Sequence, residues 1–235
     1  MSNTTQVSLE SRLSGRRIFI DGIFRFFLLL SVTFALGFIF VIVYRLWRNA
    51  GWLLSWDLIK NFPSYDIDSA GFQSSIMGSI WVVGVATLIA LPIGALTALY
   101  LESFSSKKSK LQKLVELNIQ NLAGVPAVVF GLIGLAFIAR GPFSWGFTVG
   151  SAALVIAMLI LPVIIIITRE SIRAVPPSFK EGALALGATP WQAVYRLVLP
   201  YAIPGTATGT ILAVSRAIGE SAPLLLLGAL SFVTF

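Results

Sequence analysis

The chain has 235 residues, of which 57% are hydrophobic and 11% charged, with a formal net charge of +7. Soluble domains carry about a quarter charged residues, so this deficit excludes an ordinary water-solvated core and points to lipid as the main solvent. Cysteine and histidine are absent, which excludes disulfides, thiol and imidazole chemistry and the usual zinc ligands. The basic residues sit in short loops between apolar segments, with no stripe of interleaved aromatics, and therefore argue for membrane orientation over nucleic-acid binding.

Taken in chain order, the first apolar stretch is the 19 uncharged residues 26–44, between Arg25 and Arg45. At 1.5 Å per residue it crosses a hydrocarbon core of about 30 Å. It is too long for a signal-peptide core, and no small-residue cleavage site follows it. No charge occurs from Ser69 to Leu101, which places a second helix within 75–101. Glu116 and Arg140 bracket a third, 117–139. A fourth lies within 141–168, starting near Phe147, and a fifth apolar segment spans 201–230, interrupted by Arg216 and Glu220. Pro92, Pro126 and Pro162 predict kinks. Asn118 and Asn121 on the third helix suit either substrate contact or interhelical hydrogen bonding.

The expected fold class is all-α, a polytopic transmembrane helical bundle. It divides into an N-terminal segment 1–25, a transmembrane helix 26–44, an external loop 45–74 and a core 75–235 containing a long loop, 169–200. Lysine and arginine counts set the orientation. Arg12, Arg16, Arg17 and Arg25 precede the first span. Lys107, Lys108, Lys110 and Lys113 follow the second, and Arg169, Arg173, Lys180 and Arg196 follow the fourth. These three regions are assigned to the cytoplasm, with the N-terminus. Trp52, Trp56 and Phe62 then face outward as an interfacial shelf.

The loop after the fourth helix is the most informative stretch. Pro176-Pro177 ends the preceding helix. Ser178 is expected as an N-cap, with Glu181 completing a capping box. A short helix, 179–186, would close at Gly187, and Thr189-Pro190 would start another. Local physics alone reads this as an ordinary helical hairpin. The spacing carries more: Glu181-Gly182-Ala183, three residues, Gly187, nine residues, then Leu197-Val198-Leu199-Pro200. It resembles the EAA motif of ABC importer permeases, with Gly182 in place of an alanine and Leu197 for isoleucine. The resemblance implies the type I importer permease (MetI-like) fold. It also implies that the first short helix is a coupling helix docked in a groove of a separate ATPase, formed here by Ser178, Lys180, Glu181, Gly182, Ala183, Leu184, Leu186, Gly187 and Ala188. The sequence contains no GxxxxGK[ST] pattern, so the chain is expected to be no enzyme and to carry no cofactor, with ATP and Mg2+ used by the partner.

Arg216 and Glu220 lie four residues apart on one helix face. Charges inside a span are costly unless they pair or reach water, so the pair is either a structural lock or part of a pathway. Gly205, Gly209, Ala213, Ala217 and Ser221 form a small-residue stripe about 100° away. One face would pack while the other lines a pathway, where a guanidinium suits an oxyanion. The run 215–225, Ser-Arg-Ala-Ile-Gly-Glu-Ser-Ala-Pro-Leu-Leu, resembles the high-affinity phosphate importer permeases of PstA type. So do 121–131, Asn-Leu-Ala-Gly-Val-Pro-Ala-Val-Val-Phe-Gly, and 161–166, Leu-Pro-Val-Ile-Ile-Ile. That resemblance implies a phosphate pathway including Arg216, Glu220, Ser221 and Asn121. It implies a homologous permease (PstC type), an ATPase homodimer (PstB type) and an external phosphate-binding protein (PstS type) as partners, in a bacterial inner membrane. It also implies a sixth span beyond the five visible. Permeases for phosphonate, sulfate or molybdate, a membrane-embedded enzyme and an ATP-independent channel are the alternatives.

Overall fold

The structure is a computed structural model that describes residues 15–66, 69–105 and 109–228. Most of the expected segment 1–25, Lys107 and Lys108, and the end of the apolar segment 201–230 lie outside the described residues. The regular elements among the described residues are all helical, and the chain divides after Lys60 into two units.

In the first unit, α1 runs Gly15–Ala50, about 54 Å at the α-helical rise. It extends past the expected span 26–44 in both directions, because no proline interrupts it. Its side chains are exposed along the whole apolar stretch. A helix that is apolar all round and longer than the hydrocarbon core is solvated by lipid or by other helices. A 3-10 turn, Gly51–Leu53, and a short helix, α2 (Trp56–Lys60), follow, with Trp52 and Trp56 exposed.

The second unit is organised around α6 (Val149–Arg173), with α3 (Gln73–Ser103) and α9 (Leu199–Gly219) packed on it. Buried positions on α3 recur every four residues: Val82, Ala86, Ala90, Gly94 and Ala98. This spacing follows one face of an α-helix. Buried isoleucines on α6, Ile156, Ile160 and Ile164, fill the space that the small residues leave. A Cβ on Gly94 would come 2.8 Å from Ile164 Cγ2. The stripe expected on α9 also packs on α6: Gly209, Ala213 and Ala217 are buried. A Cβ at Gly205 would come 2.6 Å from Ser171 Oγ, and one at Gly209 would overlap Ile167. Small residues thus let two helices approach α6 closely, where dispersion supplies the attraction.

Two expected spans are broken. The third, 117–139, is not one helix: α4 (Lys110–Ala123) and α5 (Ala127–Ile133), the latter continued by a π-helical turn Gly134–Ala139, meet at 102°. Proline lacks an N–H and drives the preceding residue out of the α region. Pro126 is therefore the N-cap of α5, extended at ψ 136°, instead of a kink inside a helix. The fifth segment is also discontinuous. α9 stops at Gly219, and α10 (Ala222–Leu226) restarts after Glu220 and Ser221. Pro223 cannot donate back to Gly219 and its ring crowds that carbonyl, so the helix ends there. α10 packs on α5, where a Cβ at Gly131 would come 2.7 Å from Pro223 Cα. Four helices are long and apolar enough to cross a membrane among the described residues, and the bent α4–α5 pair is a fifth candidate.

A polar cluster, buried at Arg169, Glu102 and Gln112 and open to the surface at Arg173, joins α3, α4 and α6. Arg169, its side chain 8% exposed, contacts Glu116 at 2.6 Å and Glu102 at 3.4 Å. Arg173 Nε reaches Glu102 at 3.0 Å. Gln112 Nε2 donates to Glu116 Oε1 at 3.0 Å and to the Leu101 carbonyl at 3.1 Å. Among the described residues, Arg169 Nε is buried without a hydrogen-bond partner. Such a cluster is stabilising only while its partners remain together, since a lone buried charge is costly.

Two substitutions test this packing. Gly209→Leu should lower stability by about 1–3 kcal/mol through overpacking, read as a lower thermal midpoint in detergent. Gly78→Leu, at a helical glycine with open space around it, should leave stability unchanged or raise it by up to about 1 kcal/mol; equal midpoints for the two variants would dismiss α9–α6 packing as the cause. Arg169→Met should cost about 3 kcal/mol or more by removing the cation from Glu116, and adding Glu116→Gln should recover part of that loss.

Candidate functional site

The loop between α6 and α9 folds as two short helices. Val175 is buried and anchors the exit from α6. The first helix, α7, spans Pro177–Ala185, with Pro176 as its N-cap at φ −57° and ψ 131°. The start therefore differs from the expected cap at Ser178. Pro177, with φ already set, takes the first helical position, and the residue before a proline is held extended. Ser178 becomes the second residue of α7 and makes no capping hydrogen bond, and Glu181 lies too far inside the helix to complete a box.

The end of α7 follows the expectation. Gly187 adopts φ +85°, a left-handed conformation that glycine enters without a Cβ penalty. The Ala188 N–H donates to the Ala183 carbonyl and the Gly187 N–H to the Leu184 carbonyl, both at 3.0 Å. These two bonds close a Schellman motif and satisfy the last carbonyls of the helix. The next helix, α8 (Pro190–Ala193), begins with the expected cap at Thr189. Thr189 Oγ1 accepts from the Gln192 N–H at 3.3 Å, and Gln192 Oε1 accepts from the Thr189 N–H at 2.9 Å. A π-helical turn, Val194–Val198, then leads into α9.

The loop presents one unpaired surface. Glu181, Leu184 and Leu186 are exposed, Leu186 at 91%. Gly182 has open space around it, so the alanine of the motif would fit there. Lys180, Ala183 and Ala188 are half-buried. Aromatic contacts fix the hairpin from below: Phe179 lies 5.6 Å from Tyr201 between ring centroids, and Trp191 lies 5.7 Å from Phe104 and 6.2 Å from Tyr195. A compact, capped pair of helices with an exposed leucine at the turn suits docking to another protein.

The second candidate region is the end of α9. Arg216 Nε lies 3.6 Å from Glu220 Oε1. The Arg216 side chain is 59% exposed, and Glu220 is 21% exposed. Glu220 caps α9 in an extended conformation, ψ 100°, so the pair sits at a helix end and not within a continuous span. Ser221 is exposed beside the break. Ala213 and Ala217 are buried against α6, on a face adjacent to the one that carries Arg216. Asn121 is exposed near the end of α4, and its carbonyl accepts from the Gly124 N–H at 3.0 Å. Among the described residues, no hydrogen bond joins Asn121 to Arg216 or Glu220, and the Asn118 amide is engaged by the Leu114 carbonyl at 2.9 Å. The cluster of Glu102, Gln112, Glu116, Arg169 and Arg173 was not among the expected site residues. Glu116, Arg169 and Arg173 read in sequence as the charges that bound apolar segments, and only the fold brings them together.

Residues 90–234, more than half of the chain, match the family model described as "Binding-protein-dependent transport system inner membrane component". The chain is similar to the probable ABC transporter permease protein YqgI of Bacillus subtilis, 31% identical over 73% of this chain and 58% of that protein. It is similar to the phosphate transport system permease protein PstA of Mycobacterium leprae, 34% identical over 85% of this chain and 62% of that protein. The chain thus spans about three fifths of the length of these curated relatives. A crystal structure of an amino acid ABC transporter with histidines aligns with a TM-score of 0.47 at 24% identity, covering 68% of this chain and 85% of that one. With its membrane-length helices and its capped helical hairpin at the motif positions, this chain belongs to the family of binding-protein-dependent transport system inner membrane components.

Proposed function

We propose that the chain is the transmembrane permease subunit of an ATP-driven high-affinity inorganic phosphate importer. In this reading it forms half of the translocation pathway and couples to an ATPase through the loop 181–200. The observation that carries it is the motif hairpin: α7, the left-handed turn at Gly187 and the capped α8 place exposed Glu181 and Leu186 on one rigid projection. A capped helix transmits a rigid-body displacement that a loose loop would absorb. The cargo reading is supported by the name of the mycobacterial relative and by the chemistry of Arg216, whose planar guanidinium can donate two parallel hydrogen bonds to a phosphate. Glu220, 3.6 Å away, would orient it.

The cycle in this reading is alternating access. ATP, with Mg2+, closes the partner ATPase homodimer (PstB type), the two coupling hairpins move together, and the pathway opens outward to receive phosphate from a binding protein (PstS type). A homologous permease (PstC type) supplies the other half. The hairpin and the N-terminus face the cytoplasm.

Three measurements test this. Gly187→Val forces a β-branched residue into left-handed backbone, at a cost of about 1–2 kcal/mol or more, and should sharply reduce co-purification of the ATPase. Gly182→Ala should retain the ATPase and stabilise α7 by about 0.5–1 kcal/mol. If both variants retain the ATPase equally, the docking assignment fails. In vesicles carrying the full complex, Arg216→Ala should cut uptake of radiolabelled phosphate about tenfold or more with the ATPase still bound. Uptake at the parent rate would remove Arg216 from the pathway, and sulfate that competes with phosphate at equal concentration would assign a broader oxyanion cargo.

A further inference from the structure

Two contacts flank α7 and land on the same place. Before it, Arg173, the last residue of α6, donates from Nε to Glu102 Oε2 at 3.0 Å. After it, Trp191, the second residue of α8, packs against Phe104 with 5.7 Å between ring centroids. Glu102 lies in the last turn of α3, and Phe104 is its C-cap. The ends of the coupling hairpin are therefore both attached to one turn of α3. Trp191 is held in turn by stacking on Tyr195 at an interplanar angle of 13°.

We propose that Trp191, and with it Arg173, are positioning residues that make the end of α3 the receiver of α7's displacement. This rests on the coupling role proposed above. The mechanical reason is simple. One attachment is a pivot, about which α7 could rotate without moving α3. Two attachments, one on each side of α7, restrict it to turning about the line that joins them, and the packing of Phe179 on Tyr201 opposes that turn, so a push on the exposed face of α7 is passed to the end of α3. A ring pair contributes about 0.5–1.5 kcal/mol beyond its buried area, and the Arg173–Glu102 bond adds direction on the other flank. α3 is well built to carry the motion onward, because its small-residue stripe packs tightly along α6. The same end of α3 also holds α4: Gln112 donates to the Leu101 carbonyl and accepts from Ser105 Oγ. Motion of the α3 end is thereby delivered to the bent α4–α5 pair, whose break at Gly124 to Pro126 can absorb a change of angle.

The experiment uses the complete complex with its ATPase in vesicles, with ATP inside and radiolabelled inorganic phosphate and the phosphate-binding protein outside. Trp191→Ala should leave ATPase retention and ATP hydrolysis within about twofold of the parent while phosphate taken up per ATP falls about tenfold. Trp191→Phe keeps a ring against Phe104 and should restore most of the uptake. Phe104→Ala should reproduce the loss, and the double variant should be no worse than either single, as expected for two residues acting through one contact. Unchanged uptake per ATP in Trp191→Ala overturns the proposal, and so do losses that multiply in the double variant. Loss of the ATPase from the Trp191→Ala complex also overturns it, because Trp191 would then belong to the docking surface. Failure of the underlying functional reading looks different: the parent complex itself would retain no ATPase or accumulate no phosphate.

Discussion

The close approach of α3 and α9 to α6 is the constraint from which the rest of the second unit follows. Inside lipid, burying apolar surface gives little drive for helices to associate, since the tails are as apolar as leucine. Association then depends on fit. Gly94, Gly205 and Gly209 are the points where side chains of α6, Ile164, Ser171 and Ile167, come so near that even a methyl group would collide. With α6 gripped on two sides, its far end is fixed in space, and Arg169 and Arg173 are delivered to the carboxylates of Glu102 and Glu116. The charged cluster is thus a consequence of the apolar packing beneath it. It adds what small residues lack, a direction and a register.

The two helix breaks are the complementary feature. Irregular backbone within a span has to be covered by protein or opened to a water-filled cavity. α5 begins directly after the first break and α10 directly after the second, and these two short helices pack on each other through Gly131 and Pro223. Each break is thereby supported by the helix that follows the other. The second break also frees Glu220 from the helical ladder and sets it beside an exposed Arg216. A pair of charges at a helix end is better placed to meet a polar solute than the same pair within an unbroken span.

The sequence made the helical class, most span positions and the hairpin legible, each for a physical reason. Helix α3 was readable because a long charge-free run bounded it, and its observed ends lie within two residues of the expected 75–101. The stop at Gly187 and the cap at Thr189 were readable because few residues suit those conformations. The start of α7 was misplaced because Ser178 is a good cap by type, yet Pro177 outranks it by fixing φ one position earlier. The spans 117–139 and 201–230 were read as continuous because hydropathy is blind to backbone direction; Pro126 and Pro223 were visible but do not say whether a helix bends or breaks. The stripe on α3 is hard to read in the sequence for a related reason. Alanines every four residues are unremarkable within a segment already assigned as helix, whereas the glycines of α9 stood out. The Arg169 cluster depends on contacts between residues 53 and 67 positions apart, which no local pattern announces.

The π-helical turn Val194–Val198 has a geometric consequence for everything after it. A π turn accommodates one residue more than an α turn. One extra residue in a helix with 3.6 per turn advances the azimuth of all later side chains by about 100°. Trp191 lies before this insertion and Arg216 after it, so the angle between the loop's anchor and the exposed guanidinium is dialled by a single inserted residue. The phase of α9, and with it the compass bearing of Arg216 about the helix axis, is written into five residues well before it, Tyr195 among them stacking on Trp191.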